Sequence, residues 1–94
     1  MALARGEIVR SLAGHDAGRL FCVTHAEGDF LLLADGKRKK LNAPKRKRCK
    51  HVAWAGASDH PAIVKLRRGE PVQDSELRRA LAAFRDQSVE TKEV

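Results

Sequence analysis

The pattern of apolar and polar positions divides the first 56 residues into five short segments with the character of β-strands. Most of these segments are rich in β-branched and aromatic residues and end at glycines or charged residues, which is typical of strands. Five short strands joined by tight turns predict a small, strongly bent sheet or barrel of the mainly β class. The predicted strands cover residues 6–12, 19–24, 30–34, 37–41 and 51–55.

The connections between these strands contain turn residues. Turns are predicted at residues 13–18, which contain two glycines, and at the polar residues 25–29. Asp35 and Gly36 form a two-residue hairpin signal, which places residues 37–41 on a fourth strand paired with the third. Residues 45–50 are then expected to form a basic loop before the fifth strand.

The second and third strands are apolar on both faces. Side chains alternate along a strand, so Leu20 and Cys22 face one side and Phe21 and Val23 face the other. Residues 30–33 are apolar throughout. One face is expected to line the interior of the barrel, so the other face needs a second layer to cover it.

The C-terminal third predicts two helices that supply this layer. The first covers residues 60–68, with Asp59 as its cap and Gly69 after its end. Asp74 is predicted to cap the second helix, whose apolar stripe at helical spacing consists of Leu77, Ala80, Leu81 and Phe84. The expected organisation is a barrel at residues 1–56, a helical extension at 57–87 that packs on it, and a frayed tail at 88–94.

Charge is concentrated in one segment, the basic run of residues 37–50. Nine of its fourteen residues are Lys or Arg and none is acidic. The whole chain has 19 basic and 12 acidic side chains, so the rest of the chain has 10 basic residues against 12 acidic ones. A local positive field of this density suits a polyphosphate partner. A solvated or targeting-type tract is the alternative, but a position between strands favours binding.

Several other classes of protein do not fit the sequence. The longest apolar run covers residues 30–34, too short to cross a membrane, and the N-terminus has no apolar signal core. We therefore expect a cytoplasmic protein with reduced cysteines and no membrane partner. No glycine-rich phosphate loop or paired catalytic residues are evident, which argues against an enzyme, a cofactor and a small-molecule substrate. A monomer is expected.

The cysteines and histidines are the candidate metal ligands of the chain. Cys22 and His25, like Cys49 and His51, are spaced differently from the usual zinc ligands. Cys22 is better explained as a small buried residue. The sequence therefore predicts no metal site.

Three stretches resemble a known family. Residues 6–23, GEIVRSLAGHDAGRLFCV, resemble a KOW motif, in which a glycine-bearing loop joins two strands of an SH3-like barrel. Residues 31–51, LLLADGKRKKLNAPKRKRCKH, are similar to bacterial KOW-domain RNA-binding proteins related to the fourteen-e large-subunit ribosomal proteins. Residues 66–81 are similar to the C-terminal helical extension of that bacterial group.

The resemblance implies an SH3-like barrel that binds RNA, with ribosomal RNA and the ribosome as the expected partners. One departure is the first loop, which is usually more basic than His15, Asp16 and Ala17 make it here. The RNA contacts expected from the basic run and the resemblance are Arg19, Lys37, Arg38, Lys39, Lys40, Lys45, Arg46, Lys47, Arg48, Lys50 and His51.

The chain has only four aromatic residues, so we expect contacts to phosphates, with specificity drawn from RNA shape. Trp54 is placed either to stack on a base or to cover the edge of the barrel. Two other functions stay open on the sequence alone. One is a protein-interaction module that uses the stripe of the second helix, and the other is nonspecific binding of DNA.

Overall fold

Five antiparallel strands form one sheet, and two helices follow it. The computed structural model describes the backbone of residues 3–93 and the side chains of residues 3–87. The strands are β1 (Ile8–Ser11), β2 (Leu20–Glu27), β3 (Phe30–Ala34), β4 (Lys45–Arg48) and β5 (Val52–Gly56), and the helices are α1 (Pro61–Arg67) and α2 (Asp74–Glu93). The strand order is β4-β3-β2-β1-β5, and every pair is antiparallel. The fold is therefore mainly β with C-terminal helices, as predicted.

The sheet is open but strongly curled. Its two edge strands, β4 and β5, do not pair within the described residues, yet only the three residues of a 3₁₀ turn, Cys49–His51, join them. In a flat sheet the outer strands of five would lie about 19 Å apart. Four residue steps with 3₁₀ rise span only about 8 Å. The sheet must therefore bend until its edges approach each other at this turn.

The prediction of the fourth strand is wrong. In the basic run, the segment predicted as a strand is a loop, and most of the segment predicted as a loop is a strand. Residues 35–44 contain no strand, whereas the expected loop at residues 45–48 forms β4. β4 pairs with β3, with Leu33 opposite Lys45 and Phe30 opposite Arg48. A ten-residue loop thus replaces the predicted two-residue hairpin.

Polar bonds and α2 together hold this loop. The Asp35 carboxylate accepts hydrogen bonds from the backbone N–H groups of Lys37 and Lys39, both at 2.9 Å. Farther along, the Leu41 N–H donates to the Asp74 carboxylate at 2.8 Å. Gly36 has φ of 77°, and a Cβ there would collide with the Asp74 carbonyl oxygen. The hairpin signal is overridden because the loop docks on the start of α2.

Smaller differences concern the other strands. β2 continues to Glu27, so His25 is a strand residue and the predicted turn at 25–29 shrinks to Gly28 and Asp29. A register shift between Val23 and His25 changes the pairing with β3. His51 precedes β5 and belongs to the 3₁₀ turn.

Two apolar clusters lie on opposite faces of the sheet, as the alternation in β2 predicts. The concave cluster comprises Val9, Phe21, Val23, Leu31, Leu33 and Val52. The helix-side cluster comprises Ile8, Cys22, Ala34, Ala62, Ile63, Leu77, Ala80 and Leu81. Leu77 and Leu81 of α2 therefore belong to the same cluster as the strand residues Cys22 and Ala34. Phe84 packs half-buried against the same cluster.

The helix caps differ from the prediction. His60, rather than Asp59, caps α1, because its Nδ1 accepts a hydrogen bond from the Ala62 N–H at 3.1 Å. At α2 the carboxylate of Asp74 bonds to the 35–44 loop, and the N-terminal hydrogen bond joins the Gln73 N–H to the Glu76 carboxylate at 2.9 Å. α2 runs to Glu93, and the side chains of the predicted tail, residues 88–94, lie outside the described residues.

Candidate nucleic-acid interface

β4 divides its four basic side chains between two environments. Arg46 and Arg48 are exposed and project from one face of the strand. The Arg46 guanidinium carbon lies 3.8 Å from the centroid of the Phe30 ring, and that of Arg48 lies 5.1 Å from it. Both distances are typical of cation–π contacts. The ring therefore holds two arginines side by side on the sheet face.

Lys47 projects the other way and is only 8% exposed. Its ammonium donates to the Ser11 hydroxyl at 2.6 Å and to the Ala13 carbonyl at 2.9 Å. Ser11 ends β1, which lies three positions from β4 in the strand order, so the contact crosses the concave face of the curled sheet. Lys47 cannot make the predicted RNA contact in this fold, because its ammonium is buried and hydrogen-bonded to Ser11 and Ala13.

Lys45 is also directed inward, where its ammonium forms an ion pair with Asp16. Asp16 lies in the 3₁₀ turn Gly14–Asp16 and is 4% exposed. The hydrogen bond from Lys45 holds the pKa of the Asp16 carboxyl below its ordinary value, against an opposing effect of burial. The positive charges of Lys47 and Lys39 lower this pKa further. The acidic residue of the predicted first loop is thus an internal partner of the basic run.

The first half of the basic run lies in the 35–44 loop. Lys37, Arg38 and Lys40 are exposed, and Lys39 is half-buried. Because the Asp35 carboxylate and α2 hold this loop, these cations do not alternate between faces as a strand would require. Lys50 and His51, in the 3₁₀ turn after β4, are also exposed.

Most cations of the basic run have no acidic partner. Within the part of the chain whose side chains the structure describes, only Lys45 among the nine forms an ion pair. The run therefore carries a large uncompensated positive charge, most of it on the surface. Such a surface is suited to a polyanion with repeated negative charges.

Arg19 lies in a second basic region that the sequence pattern did not reveal. It lines an open concavity of about 410 Å³ beside α2, together with one residue of the basic run, Lys37. The remaining cations around this concavity are Arg10, Arg78 and Arg85. Arg78 and Arg85 are seven residues apart on α2, a spacing that places them on one helix face next to the apolar stripe. This spacing is the signal in the sequence from which they could have been identified.

The cysteines and histidines are dispersed over the described structure. Cys22 is buried, and burial raises the pKa of its thiol to about 12, so the thiol stays protonated. His25 lies on the exposed end of β2, with its Nε2 3.9 Å from the Glu27 carboxylate. Among the described residues, no three His, Cys, Asp or Glu side chains come together in an arrangement that fits a metal ion.

Trp54 is 50% exposed on β5. Its indole Nε1–H donates to the Glu7 carboxylate at 3.0 Å. This bond fixes the orientation of the ring beside a negative charge, which disfavours the approach of a phosphate. Of the two roles considered for Trp54, covering the sheet edge agrees better with this geometry.

Compared with models of protein families and with curated protein sequences, the chain matches none of them. Within the described residues, no helix has both the length and the apolar character needed to span a membrane.

Proposed function

We propose that this protein binds RNA, with ribosomal RNA as its target, through the exposed cations of the basic run. The observation that carries the proposal is the pair Arg46 and Arg48, which lie on the edge strand β4 against the ring of Phe30. Among the described residues, neither arginine has an acidic partner. Guanidinium groups donate two parallel hydrogen bonds to phosphate and also stack on bases. The proposed contact set is Arg46, Arg48, Lys50 and the loop cations at 37–40.

The geometry supports a polyanion, and the family resemblance supports RNA in particular. The curled five-stranded sheet, with a glycine-bearing turn between β1 and β2, supports relating the fold to the SH3-like barrel of KOW domains. An association with the ribosome belongs to the same proposal. The alternative use of the α2 stripe as a partner-binding surface has less support, because Leu77 and Leu81 are buried against the sheet.

The test is the salt dependence of binding to a fragment of large-subunit ribosomal RNA, measured by fluorescence anisotropy between about 50 and 200 mM salt. The variant R46Q/R48Q loses two phosphate contacts. The slope of log affinity against log salt should therefore become shallower by roughly 1.4 to 1.8. R68Q/R79Q removes the same charge from α1's C-terminal end and from α2, away from the basic run, and serves as the matched control.

An unchanged slope in R46Q/R48Q, or an equal change in the control, would contradict the proposal. Duplex DNA of equal length serves as a competitor, and RNA is expected to bind more tightly. The ribosomal part is tested by sedimentation of cell lysate on sucrose gradients at low and high salt. The unsubstituted protein should move with ribosomes at low salt, whereas R46Q/R48Q should stay near the top of the gradient.

A further inference from the structure

An open concavity lies where the start of β2, the 35–44 loop and α2 meet. Its volume is about 410 Å³, within the range of small-molecule and nucleotide sites. We call it the arginine pocket after the cations around it, Arg10, Arg19, Lys37, Arg78 and Arg85. Among the described residues of its lining, only Asp35 is acidic. Four of these five cations lie outside the basic run, so the pocket is a separate concentration of positive charge.

Two of the arginines are oriented by backbone carbonyls. Arg10 donates from Nη1 to the Gly18 oxygen at 2.8 Å, and Arg78 donates from Nη1 to the Gly36 oxygen at 2.6 Å. A guanidinium has five N–H donors, so each retains several for a ligand. Fixing both groups before binding reduces the side-chain entropy that a ligand contact would otherwise cost.

The single carboxylate does not neutralise the pocket. Asp35 directs Oδ1 to the backbone N–H groups of Lys37 and Lys39, which stabilises the loop. Among the described residues, it forms no ion pair with Arg10, Arg78 or any other cation. The described lining thus carries five cations and one carboxylate, which is hydrogen-bonded to the backbone of its own loop. The net positive charge makes the pocket complementary to an anion.

The pocket also has an apolar part. Leu20 at the start of β2 and the α2 residues Leu81 and Ala82 line it between the cations. Inorganic phosphate would leave these side chains unused. A phosphodiester with its attached ribose or base would meet both the guanidinium donors and the apolar surface. The chemistry that fits the lining is therefore that of a nucleotide within a strand.

We infer that the arginine pocket binds a phosphodiester of the same RNA, with a neighbouring ribose or base on the half-buried side chains of Leu20 and Ala82. The inference rests on the proposed RNA-binding function and adds a second anchor to it. Lys37 belongs to both the basic run and the pocket, so the 35–44 loop connects the two contact regions. Two anchors would fix the orientation of the RNA on the protein, and α2 would take a direct part in binding.

The experiment measures RNA affinity against salt for the full chain and for variants R78Q/R85Q, R85Q and the control R68Q/R79Q. R78Q/R85Q should make the log–log slope shallower by about 1.4, and R85Q by about 0.7, as expected for single-stranded contacts. R85Q is included because Arg78 also bonds to the loop, whereas Arg85 makes no hydrogen bond or ion pair in the described structure. The control should leave the slope unchanged.

A second readout uses the dinucleoside monophosphate ApA, which carries one phosphodiester, in an NMR titration of the protein. The amide signals of Leu81 and Ala82 should shift in the unsubstituted protein, and this shift should be lost in R85Q. If R85Q and R78Q/R85Q behave like the control while R46Q/R48Q still weakens RNA binding, the pocket is not an RNA site and the proposed function stands. If the unsubstituted protein binds no RNA, both proposals are overturned.

Discussion

Lys47 and Arg46 are neighbours on the same strand, carry the same charge, and have opposite surroundings. Lys47 crosses the concave face and joins β4 to the end of β1, whereas Arg46 is exposed and lies over Phe30. The alternation of a β-strand is enough to make this difference. It teaches that a dense basic run is not one uniform binding surface. Here the inward lysines serve the fold, and the outward arginines are the proposed RNA contacts.

The largest expected effect comes from replacing the buried lysine. Lys47→Ala removes the packed side-chain stem and leaves the Ser11 hydroxyl and the Ala13 carbonyl without their partner. We expect the free energy of unfolding to fall by about 2 to 4 kcal/mol. Urea denaturation followed by Trp54 fluorescence measures this change.

Lys47→Met keeps most of the stem and should cost roughly half as much. Lys50→Ala, in the exposed 3₁₀ turn, should stay within about 0.5 kcal/mol of the unsubstituted protein. Equal free energies of unfolding for Lys47→Ala and Lys50→Ala would contradict the claim that the inward side of the basic run stabilises the fold and the exposed side does not.

The next effect in size concerns the ion pair of Asp16 and Lys45. Asp16→Asn should lower the free energy of unfolding by about 1 to 2 kcal/mol at pH 7, less than for a fully buried pair because Lys45 is partly exposed. The folded-state pKa of Asp16 is lowered, so this stabilisation is complete above the ordinary Asp pKa of about 3.9. It is lost as pH falls further, because the unfolded chain then takes up the proton first.

Urea denaturation at a series of pH values tests this dependence. The difference in stability between the unsubstituted protein and Asp16→Asn should be constant near neutral pH and shrink below about pH 4. A difference that stays the same down to the lowest pH would show that the charge of Asp16 does not contribute to stability.

The smallest effect is expected on the outward side. Phe30→Leu removes the ring that orients Arg46 and Arg48, and RNA affinity should fall by about two- to fivefold, in keeping with exposed cation–π contacts. In the R46Q/R48Q background the same substitution should change affinity little. If the losses of RNA affinity from Phe30→Leu and from R46Q/R48Q add up in the combined variant, the ring does not act through the two arginines.

The sequence predicts most of the sheet but not the division of the basic run. The sequence identifies β1, β2, β3 and β5 because they are short apolar segments bounded by turn residues. The Asp35-Gly36 signal failed because the Asp35 carboxylate and α2 stabilise a long loop there. The contacts with α2 join residues more than thirty positions apart, which a local turn signal cannot register.

The sequence predicts which residues form the candidate site but not which of their side chains point inward. A run of lysines and arginines has no apolar residues to mark its inward face, so the burial of Lys47 could not be read from alternation alone. The sequence predicts the turn that contains Asp16 but not its ion pair, because the partner Lys45 lies far along the chain. The spacing of Arg78 and Arg85 places them on one face of α2, but only the fold brings Arg10 and Arg19 to the same concavity.

Residue-specific chemical modification of the full chain, with and without RNA, tests the central claim most directly. Lysines are acetylated and arginines are modified with phenylglyoxal under conditions that keep the protein folded, and mass spectrometry measures the rate at each site. We predict that Arg46 and Arg48 react in the free protein and are protected by RNA, whereas Lys47 stays unreactive in both states. If Lys47 reacts as fast as Lys50, or if RNA leaves both arginines fully reactive, the division of β4 into a structural and a binding side is contradicted.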